Sequence, residues 1–554
     1  MPRLRRLEAP GAAGGGPLLC DGDRSHITNQ RPDGRKGAPA MPTWLNDAVF
    51  YEIYPQSFCD SNGDGIGDLN GITGKLDYIK ALGCNALWIN PCFDSPFKDA
   101  GYDVRNYKLV APRYGTNEDL YRLFAAAHEK GIRVLLDLVP GHTSEEHPWF
   151  LESGKAERNP FSDRYVWTDF WIKGVPNRPY IAGETPRNGA YMLNFFKCQP
   201  ALNYGWREPT EDWQCAVDSP AARETRNALI DVIRFWLDRG CDGFRVDMAD
   251  SLVKDDDEDK SCTCAVWREI RDILDRDYPE AVLVSEWSNP WQAVAGAGFH
   301  MDFLLDHWHN GYHALCRDTE AGVDRSYFKK DAPSDIMRFL ADYLPRYEAA
   351  RGIGYVSLLT CNHDTPRLAP RLTERELRLD CATLFTLPGV PFLYYGDEIG
   401  MRYRPELPSK EGGYTRTGSR TPMQWDRSQN LGFSTAKPED LYLPVDPAPD
   451  APTVADQTGR EGSLLETVRG ILALRHGEPD LQAEGDFRVL HAESGDPLFV
   501  YARGARIMAV NPSGEARCAF LPMPVEGKRP LFQIGGVACA QNRLTLEPQS
   551  FAVL

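Results

Sequence analysis

Eight short runs rich in β-branched and aromatic residues alternate with stretches of helical periodicity between residues 49 and 395. This alternation is typical of a parallel sheet whose strands are connected by helices. Eight parallel strands close into a barrel, so the pattern predicts an α/β fold of the (β/α)8 TIM-barrel type. The predicted strands are Val49–Tyr54, Ala86–Asn90, Arg133–Val139, Gly243–Met248, Val282–Trp287, Phe299–Leu305, Ser357–Asn362 and Pro391–Tyr395.

Three stretches do not follow this alternation. From His142 to Trp206 the chain is rich in Pro, Gly and aromatic residues without a clean period, which predicts a domain inserted after the third strand. The last 70 or so residues alternate in the manner of strands and turns, which predicts a C-terminal antiparallel β-sandwich. The Gly-, Pro- and Arg-rich start is predicted to be a disordered extension. The predicted limits are 1–40 for the extension, 41–141 and 207–482 for the barrel, 142–206 for the insert and 483–554 for the C-terminal domain.

The charge balance disfavours some classes of partner. With 62 basic and 79 acidic residues, the formal net charge is −17. Such a surface repels phosphate backbones and anionic lipid head groups, so we expect no nucleic-acid partner. No window reaches the ~18 continuous apolar residues of a membrane span, and the N-terminus lacks the apolar region of a signal peptide. We therefore expect a cytoplasmic protein without a membrane partner.

Cysteine usage gives no sign of a disulfide framework or a zinc site. The 14 cysteines are scattered along the chain, unlike those of small secreted domains, and we expect reduced thiols. Cys262 and Cys264 form the only close pair, and no second pair lies at zinc-ligand spacing. We expect no organic cofactor. The oligomeric state is not determined by the sequence.

Polar clusters stand at the ends of four predicted strands, which all reach the C-terminal rim of a barrel, where such folds hold their active sites. Alone, each acid is more simply explained as a helix cap or an ion-pair partner. Together they favour catalysis, because two neighbouring carboxylates are the machinery of a retaining glycosidase. The clusters are Asp137 to His142 after the third strand, Arg245-Val-Asp247 on the fourth, Glu286 on the fifth and Asn362-His363-Asp364 on the seventh.

In order and spacing, these clusters resemble the short sequence regions of the α-amylase clan of glycoside hydrolases, glycoside hydrolase family 13, over about residues 45–430. The resemblance implies that Asp247 is the nucleophile that forms a β-glucosyl-enzyme intermediate. It implies that Glu286 is the acid and then the base, and that Asp364 binds sugar hydroxyls and stabilises the transition state.

Further residues take expected roles from the same resemblance. Arg245 lies two residues before Asp247, on the same strand face, and is expected to keep that carboxylate ionised. His142 and His363 resemble the family's hydroxyl donors to the bound glucosyl ring. For a lone histidine, a place in the core is the more common explanation, so both assignments depend on the surrounding motifs.

Two more motifs resemble those of exo-acting α-glucosidases, in the oligo-1,6-glucosidase-like branch of the family. They are Asp99-Ala-Gly-Tyr102-Asp and Arg420-Thr-Pro-Met-Gln-Trp-Asp. In that branch the Asp and the Arg bind the non-reducing-end glucose and close the pocket, while the Tyr stacks on the sugar ring. The resemblance therefore implies exo action. Packing for Tyr102 and a surface ion pair for Arg420 are the alternatives.

Residues 60–68 suggest a cation site, because oxygen-bearing residues recur at alternate positions and glycines permit the tight turn. The same loop is typical of the oligo-1,6-glucosidase-like branch, so a structural cation is expected, with Ca²⁺ and Mg²⁺ both left open; a turn rich in Asx residues is the alternative. The expected ligands are Asp60, Asn62, Asp64, Ile66 and Asp68.

Three departures from the family pattern bear on metal binding and specificity. Gly141 stands where the family commonly has an Asn that helps to hold the amylase calcium, so that second site is not expected. Ala201 replaces the Asp of a Gln-Pro-Asp-Leu-Asn motif. Met248, after the expected nucleophile, matches neither the Val associated with α-1,6 cleavage nor the residues associated with α-1,4 cleavage. The linkage therefore stays open.

The sequence favours a retaining exo-acting α-glucosidase that acts on short malto- or isomalto-oligosaccharides. An endo-acting α-amylase, a sucrose-active enzyme or a transglucosylase such as a trehalose synthase are alternatives within the clan. A non-catalytic transporter subunit or a carbohydrate-binding protein is a remote alternative, because all three expected catalytic acids are present and no membrane anchor is seen.

Overall fold

The computed structural model describes residues 41–319, 322–331 and 334–554. The predicted disordered extension, residues 1–40, lies outside them. Eight parallel strands form one sheet, and we label them β1 to β8 in chain order. They are β1 (Phe50–Ile53), β2 (Ala86–Ile89), β3 (Arg133–Leu138), β4 (Gly243–Val246), β5 (Val282–Ser285), β6 (Met301–Phe303), β7 (Tyr355–Ser357) and β8 (Phe392–Tyr394).

The sheet closes on itself. Hydrogen-bonded neighbours run in the order β7, β6, β5, β4, β3, β2, β1, β8. The remaining gap, between β7 and β8, is bridged just beyond the end of β7, where the Phe392 amide donates to the Leu358 carbonyl at 2.9 Å and the Thr360 amide donates to the Phe392 carbonyl at 3.0 Å. The predicted (β/α)8 barrel is therefore confirmed.

One predicted strand is wrong in its position. The seventh was expected at Ser357–Asn362, but β7 spans Tyr355–Ser357. Beyond it, the Asn362 side chain accepts hydrogen bonds from the amides of Asp364 and Thr365, both at 2.9 Å. This Asx turn removes the backbone from the sheet. His363 and Asp364 therefore lie on a loop and not at a strand end. The other seven strands fall within their predicted runs.

Helices cover the outside of the barrel, and their ends follow local sequence signals. Thr116 and Asp119 form a reciprocal capping box at the start of Asn117–Glu129, and Ser219 caps Pro220–Leu237, which begins with a proline. None of the described helices combines the length and apolar composition needed to cross a lipid bilayer. The α-helices are Leu69–Gly74, Leu76–Leu82, Asn117–Glu129, Pro148–Ser153, Pro220–Leu237, Ser261–Asp277, Gly311–Cys316, Met337–Ala350, Glu374–Leu384, Val454–Gln457 and Leu464–Gly477.

The barrel interior changes from apolar to polar along its axis. Phe50 of β1 and Phe392 of β8 stack with ring centroids 4.3 Å apart, within a fully buried cluster that includes Trp88. Towards the C-terminal ends of the strands, buried charged side chains take over, among them Glu52 and Arg245. Burying such groups is unfavourable unless they are paired, so this end is a candidate for function.

The segment after β3 leaves the barrel and returns to it. It contains the helix Pro148–Ser153 and a hairpin of Tyr180–Ala182 with Ala190–Met192. The Leu202 amide donates to the Gly141 carbonyl at 3.0 Å, so the end of the segment pairs with its beginning. The predicted insertion after the third strand is thus present.

The C-terminal region forms two antiparallel sheets with an apolar layer that includes Val500, Ile507 and Leu544. The predicted C-terminal β domain is confirmed. The five-stranded sheet has the order Arg488–His491, Phe499–Arg503, Arg506–Asn511, Ser550–Val553, Phe532–Ile534, and the three-stranded sheet has the order Arg517–Phe520, Arg543–Leu546, Val537–Ala540.

Candidate active site

One arginine contacts three carboxylates at the C-terminal end of the barrel. Nη1 of Arg245 donates to Oδ1 of Asp137 at 2.8 Å and to Oδ1 of Asp247 at 3.1 Å, and its Nη2 lies 2.8 Å from Oε2 of Glu286. We call these four residues the Arg245 cluster. Because one cation faces three carboxylates, the cluster favours the retention of a proton.

Strand register explains how this cluster forms. Arg245 on β4 pairs directly with Asp137 on β3, so their side chains leave the sheet side by side. Asp247 follows at the alternate position on the same face of its strand. Glu286 comes directly after β5, and its Oε2 also accepts the Met248 amide at 3.0 Å. The structure therefore brings Asp137, Asp247 and Glu286 together at the C-terminal end of the barrel, as the sequence predicted.

A second cluster combines residues from the loops after β7 and β8 with Asp99, which follows β2. Oδ1 of Asp364 accepts from Nη2 of Arg420 at 2.8 Å and from Nη1 of Arg416 at 3.1 Å, and Oδ2 lies 3.5 Å from Nε2 of His363. Nη2 of Arg416 also lies 3.3 Å from Oδ1 of Asp99. We call these five residues the Asp364 cluster. Here two arginines face two carboxylates, so the charges balance.

Tyr102 joins the two clusters. Its hydroxyl lies 2.7 Å from Nε2 of His363, 3.1 Å from Oδ2 of Asp137 and 3.4 Å from Nη1 of Arg245. The Tyr102 and His363 rings stack with centroids 5.4 Å apart. The two clusters therefore belong to one site, and Tyr102 is buried at their junction.

The two histidines singled out by the sequence are fully engaged by the protein. Nε2 of His142 lies 3.2 Å from the Tyr102 carbonyl, and Nδ1 lies 3.1 Å from Nδ2 of Asn194. Burial lowers the pKa of both His142 and His363 to about 3. Both imidazoles are therefore neutral at physiological pH, and their expected contact with sugar hydroxyls stays a prediction.

His363 is held from behind by two buried residues. Its Nδ1 lies 2.9 Å from Oε1 of Glu52 on β1 and 3.1 Å from Nδ2 of Asn90 after β2. Glu52 is completely buried, and burial raises its pKa well above the usual range. A protonated Glu52 donates to Nδ1 and leaves the proton of the neutral imidazole on Nε2, which faces Tyr102 and Asp364.

Ionisation differs between the two clusters. Burial, followed by the charge of Glu286, raises the pKa of Asp247 well above its usual range, while Arg245 opposes this shift. Burial also raises the pKa of Asp137 to about 6 against the same arginine. Because one guanidinium is shared among three buried carboxylates, burial and Glu286 oppose the effect of Arg245 on Asp247, and the expectation that Arg245 keeps Asp247 ionised stays a prediction.

Asp364 shows the opposite behaviour. Burial by itself would raise its pKa, but the combined effect of His363, Arg420 and Arg416 holds the pKa well below its usual range. Asp99, at the edge of the same cluster, has its pKa raised to about 6 by burial, which outweighs Arg416. Asp364 is therefore the firmly ionised carboxylate of the site.

Aromatic side chains and a glycine-containing loop lie beside the Asp364 cluster. The Phe196 ring is 6.3 Å from that of Tyr414 and 5.8 Å from the guanidinium of Arg416. A Cβ at Gly412, whose φ is +67°, would lie 3.2 Å from the Phe196 ring and 3.4 Å from Oδ1 of Asp99. The loop that carries Arg416 therefore packs closely against the inserted domain.

The predicted cation loop lies outside these two clusters. Asp60 accepts hydrogen bonds from the amides of Gly63 and Gly65 at 2.7 and 2.8 Å, and Asp68 accepts from Ser61 at 2.8 Å. Over the described ranges, no group of three or more His, Cys, Asp or Glu side chains is arranged to hold a metal ion. The side chains of Asn62 and Asp64 accept amides two residues ahead, and Ile66 donates one. Ca²⁺ or Mg²⁺ binding by this loop stays a prediction.

A comparison with family models gives one decisive match. Residues 52–484 match the model of the α-amylase catalytic domain, which is most of the chain and contains both clusters. The chain belongs to the α-amylase family. It is therefore an enzyme of the hydrolase and transglycosylase type, acting on carbohydrate.

Similar members of this family differ in the reactions their names describe. The trehalose synthase/amylase of Mycobacterium tuberculosis is 34% identical, over 88% of this chain and 84% of that protein. The oligo-1,6-glucosidase of Heyndrickxia coagulans is 31% identical, over 84% of this chain and 90% of that protein. The solved trehalulose synthase of Pseudomonas mesoacidophila MX-45 is 28% identical, with a TM-score of 0.76 over 94% of this chain and 99% of that chain.

Sequence reasoning missed four side chains at this α-amylase-type site. Arg416 contacts both Asp99 and Asp364, and Nε2 of Gln199 donates to Oδ2 of Asp99 at 2.7 Å. Glu52 and Asn90 hold His363. Arg416 stands four residues before Arg420, and a search for charged residues around that motif would have found it. Glu52 and Asn90 gave no signal beyond lying on predicted strands.

Proposed function

We propose that this enzyme is a retaining exo-acting α-glucosidase that hydrolyses α-glucosidic bonds of short malto- or isomalto-oligosaccharides. The observation that carries the proposal is the bridge of Arg416 between Asp99 and Asp364, which in this proposal closes one end of the site. A site closed behind a terminal glucose admits chain ends and excludes internal glucosyl units. The oligo-1,6-glucosidase relative is in keeping with this reaction.

In the proposed reaction, a carboxylate oxygen of Asp247 attacks the anomeric carbon while Glu286 gives its proton to the glycosidic oxygen, and the bond from carbon to that oxygen breaks. In this proposal the proton retained by the three carboxylates around Arg245 lies on Glu286 in this step, so Asp247 attacks in its ionised form. Glu286 then removes a proton from water, the water oxygen attacks the anomeric carbon, and the bond to Asp247 breaks. Two inversions give net retention.

The ionised Asp364 has a separate proposed role. Its carboxylate accepts hydrogen bonds from sugar hydroxyls and stabilises positive charge as it develops on the glucosyl ring. Arg420 holds this carboxylate through Nη2 and the His363 carbonyl through Nε at 2.9 Å, so it fixes the loop after β7. Asp99 and Arg416 bind the far side of the same sugar in this proposal.

The test is incubation of the purified protein with maltose, isomaltose, sucrose, trehalose and maltoheptaose separately, with products followed by chromatography and anomeric NMR. We expect α-glucose to appear first from one or two disaccharides, and a one-glucose-shorter chain from maltoheptaose. Mixed maltodextrins from maltoheptaose as the first products would overturn exo action. β-Glucose as the first anomer would overturn retention.

Glucosyl transfer within the site is the second candidate, since relatives carry the names trehalose synthase and trehalulose synthase. Phe196 and Tyr414 beside Arg416 offer apolar surface that would hold a released sugar near the intermediate. In the same experiment, conversion of maltose to trehalose, or of sucrose to an isomer, at a higher rate than glucose release would favour transfer. Glucose release alone would favour hydrolysis.

We also propose that the loop of residues 60–68 takes up Ca²⁺. Its oxygen donors suit a hard cation, and in the described part of the chain no Lys, Arg or His lies within 4.0 Å of the carboxylates of Asp60, Asp64 or Asp68. We expect Ca²⁺ to raise the melting temperature and chelator to lower it, with an unchanged kcat. An Asp64→Ala variant should lose the response. A response that persists in this variant, or no response in the parent, would overturn the proposal.

A further inference from the structure

A separate cavity lies in the inserted domain. Its volume is about 480 Å³, within the ~300–1,000 Å³ typical of small-molecule sites. It is lined from three stretches of the chain, residues 155–169, 187–188 and 203–215. No side chain of the Arg245 cluster or the Asp364 cluster lines this cavity, so the cavity is distinct from the candidate active site.

The inner wall of the cavity is aromatic. Trp167, Trp206 and Trp213 line it together with Tyr165. Trp206 and Trp213 stand perpendicular, with centroids 5.7 Å apart and planes at 89°. Flat rings of this kind pack against the C–H faces of sugar rings, and an indole adds a hydrogen-bond donor at its edge.

The outer wall is charged, but its charges cancel. Three lining side chains are cationic and three are anionic, so the cavity does not select for a charged ligand. Arg158 is paired with Asp163, which neutralises two of them directly. The cationic residues are Lys155, Arg158 and Arg187, and the anionic residues are Asp163, Asp169 and Asp212.

Two adjacent lining residues are left with unused hydrogen-bonding capacity. The indole N–H of Trp213 is buried and has no hydrogen-bond partner among the described residues. The neighbouring Asp212 is exposed and takes part in no ion pair within the described part of the chain. A buried donor without a partner is unfavourable, and a ligand that accepts from it removes that cost. A hydroxyl group accepts from one group and donates to another, so it suits a buried N–H on one residue and an exposed carboxylate on the next.

We propose that this cavity binds a neutral mono- or disaccharide, at a site separate from the one that carries the reaction. Aromatic rings, balanced charges and an unpaired donor beside an acceptor match a polyhydroxylated ring. A phosphorylated ligand would meet as many carboxylates as cations and gain no net attraction, and an apolar ligand would leave the polar wall without partners. The proposal does not depend on which glycosidic bond the enzyme acts on.

The test uses an Asp247→Asn chain, which prevents turnover, titrated with maltose and separately with glucose by calorimetry and tryptophan fluorescence. We expect a binding event beyond that of the active site, weakened at least tenfold by Trp213→Phe or by Asp212→Asn. Trp213→Phe keeps an aromatic ring and removes only the N–H. The exposed Trp171, in the same domain but not lining the cavity, supplies the matched control, and Trp171→Phe should leave both events unchanged.

The outcomes separate this proposal from the proposed function. Binding that is unaffected by both cavity variants, with melting temperatures showing that they fold, would overturn the cavity site and leave the glucosidase proposal intact. Binding lost in the cavity variants, while an otherwise unaltered enzyme releases no glucose from any disaccharide, would support the cavity site and overturn the glucosidase proposal. In chains that retain Asp247, the cavity variants should keep kcat within twofold of the parent.

Discussion

The two clusters of the candidate active site use the same chemical groups in different proportions. In the Arg245 cluster, one guanidinium faces three carboxylates; in the Asp364 cluster, two guanidiniums face two. The pKa of Asp247 is raised in the first, and the pKa of Asp364 is held low in the second. What separates the carboxylates is the number of cations that contact each one: Asp364 accepts from two arginines and its pKa is held low, whereas Asp247, Asp137 and Asp99 each share a single arginine and their pKa values are raised.

The largest expected effect on kcat comes from replacing the carboxylate that is proposed to attack the sugar. Asp247→Asn removes the nucleophile and should lower kcat by on the order of 10⁴- to 10⁶-fold, as loss of an essential nucleophile does elsewhere. Glu286→Gln is the matched variant in the same cluster. It should lose activity on maltose but retain much more on an aryl glucoside, whose leaving group departs without protonation. Equal losses on both substrates would contradict the assignment of Glu286 as the acid.

Changes in the Asp364 cluster should act mainly on substrate binding. Arg416→Met removes one cation from two carboxylates and should lower kcat/KM on maltose by about 100-fold, because a buried charge left unpaired costs ~2–5 kcal/mol. The loss should be smaller on maltoheptaose if the closed end of the site opens. Arg402, which pairs with the exposed Asp450 at 2.7 Å, offers the control Arg402→Met, with activity close to that of the parent. An equal loss on both sugars would contradict the closing role of Arg416.

The residues behind His363 give a smaller effect that sharpens the comparison. Glu52→Leu removes the group beside Nδ1 and should lower kcat/KM about tenfold, at the lower end of the effects seen for groups that orient a functional imidazole. Glu52→Gln keeps a donor to Nδ1 and should stay within about threefold of the parent on the same reasoning. Steady-state kinetics with the pH profile measure both. If both variants fold and lose kcat/KM equally, the role of Glu52 is packing and not a hydrogen bond to Nδ1 of His363.

The smallest effect, on stability, should have opposite signs in the two clusters. The pKa of Asp247 is raised in the folded protein, so the parent loses stability as pH rises above ~4, the value for an unfolded Asp. Asp247→Asn avoids this loss and should be the more stable chain, by a margin that grows with pH. The measurement is the melting temperature of parent and variant between pH 4 and pH 7.

For Asp364 the sign reverses. Its folded pKa is depressed, so its contribution is fully present above ~4 and is lost as pH falls through the folded pKa. Asp364→Asn should therefore melt below the parent at neutral pH, and the deficit should shrink as the solution is acidified below pH 4. Two variants that shift in the same direction would break the contrast between the clusters.

Much of the fold was predictable because its signals are local. A buried parallel strand needs only a short run of β-branched and aromatic residues, and seven of the eight barrel strands lie within their predicted runs. The exception is the seventh, where Asn362 binds the amides of its own turn and ends the pairing. Side-chain hydrogen bonds of this kind compete with the sheet and leave little trace in an apolar pattern.

The candidate site was predictable in its acids and not in their partners. Asp247, Glu286 and Asp364 follow barrel strands in the sequence, and parallel strands bring such positions to one rim. Arg416 was missed because it reaches Asp99, 317 positions away in the chain, from a loop with no regular period. Glu52 was missed because a single acid on a strand has no pattern to distinguish it.

The sequence by itself therefore determined the barrel, the inserted and C-terminal regions and the positions of three acids at one rim. Only the tertiary structure decided that Arg245 is shared by three carboxylates while Asp364 accepts from two arginines, one of which also contacts Asp99. The physical reason is that strand formation depends on neighbouring residues along the chain. Ionisation depends on burial and on charges a few ångströms away, and those distances exist only after folding.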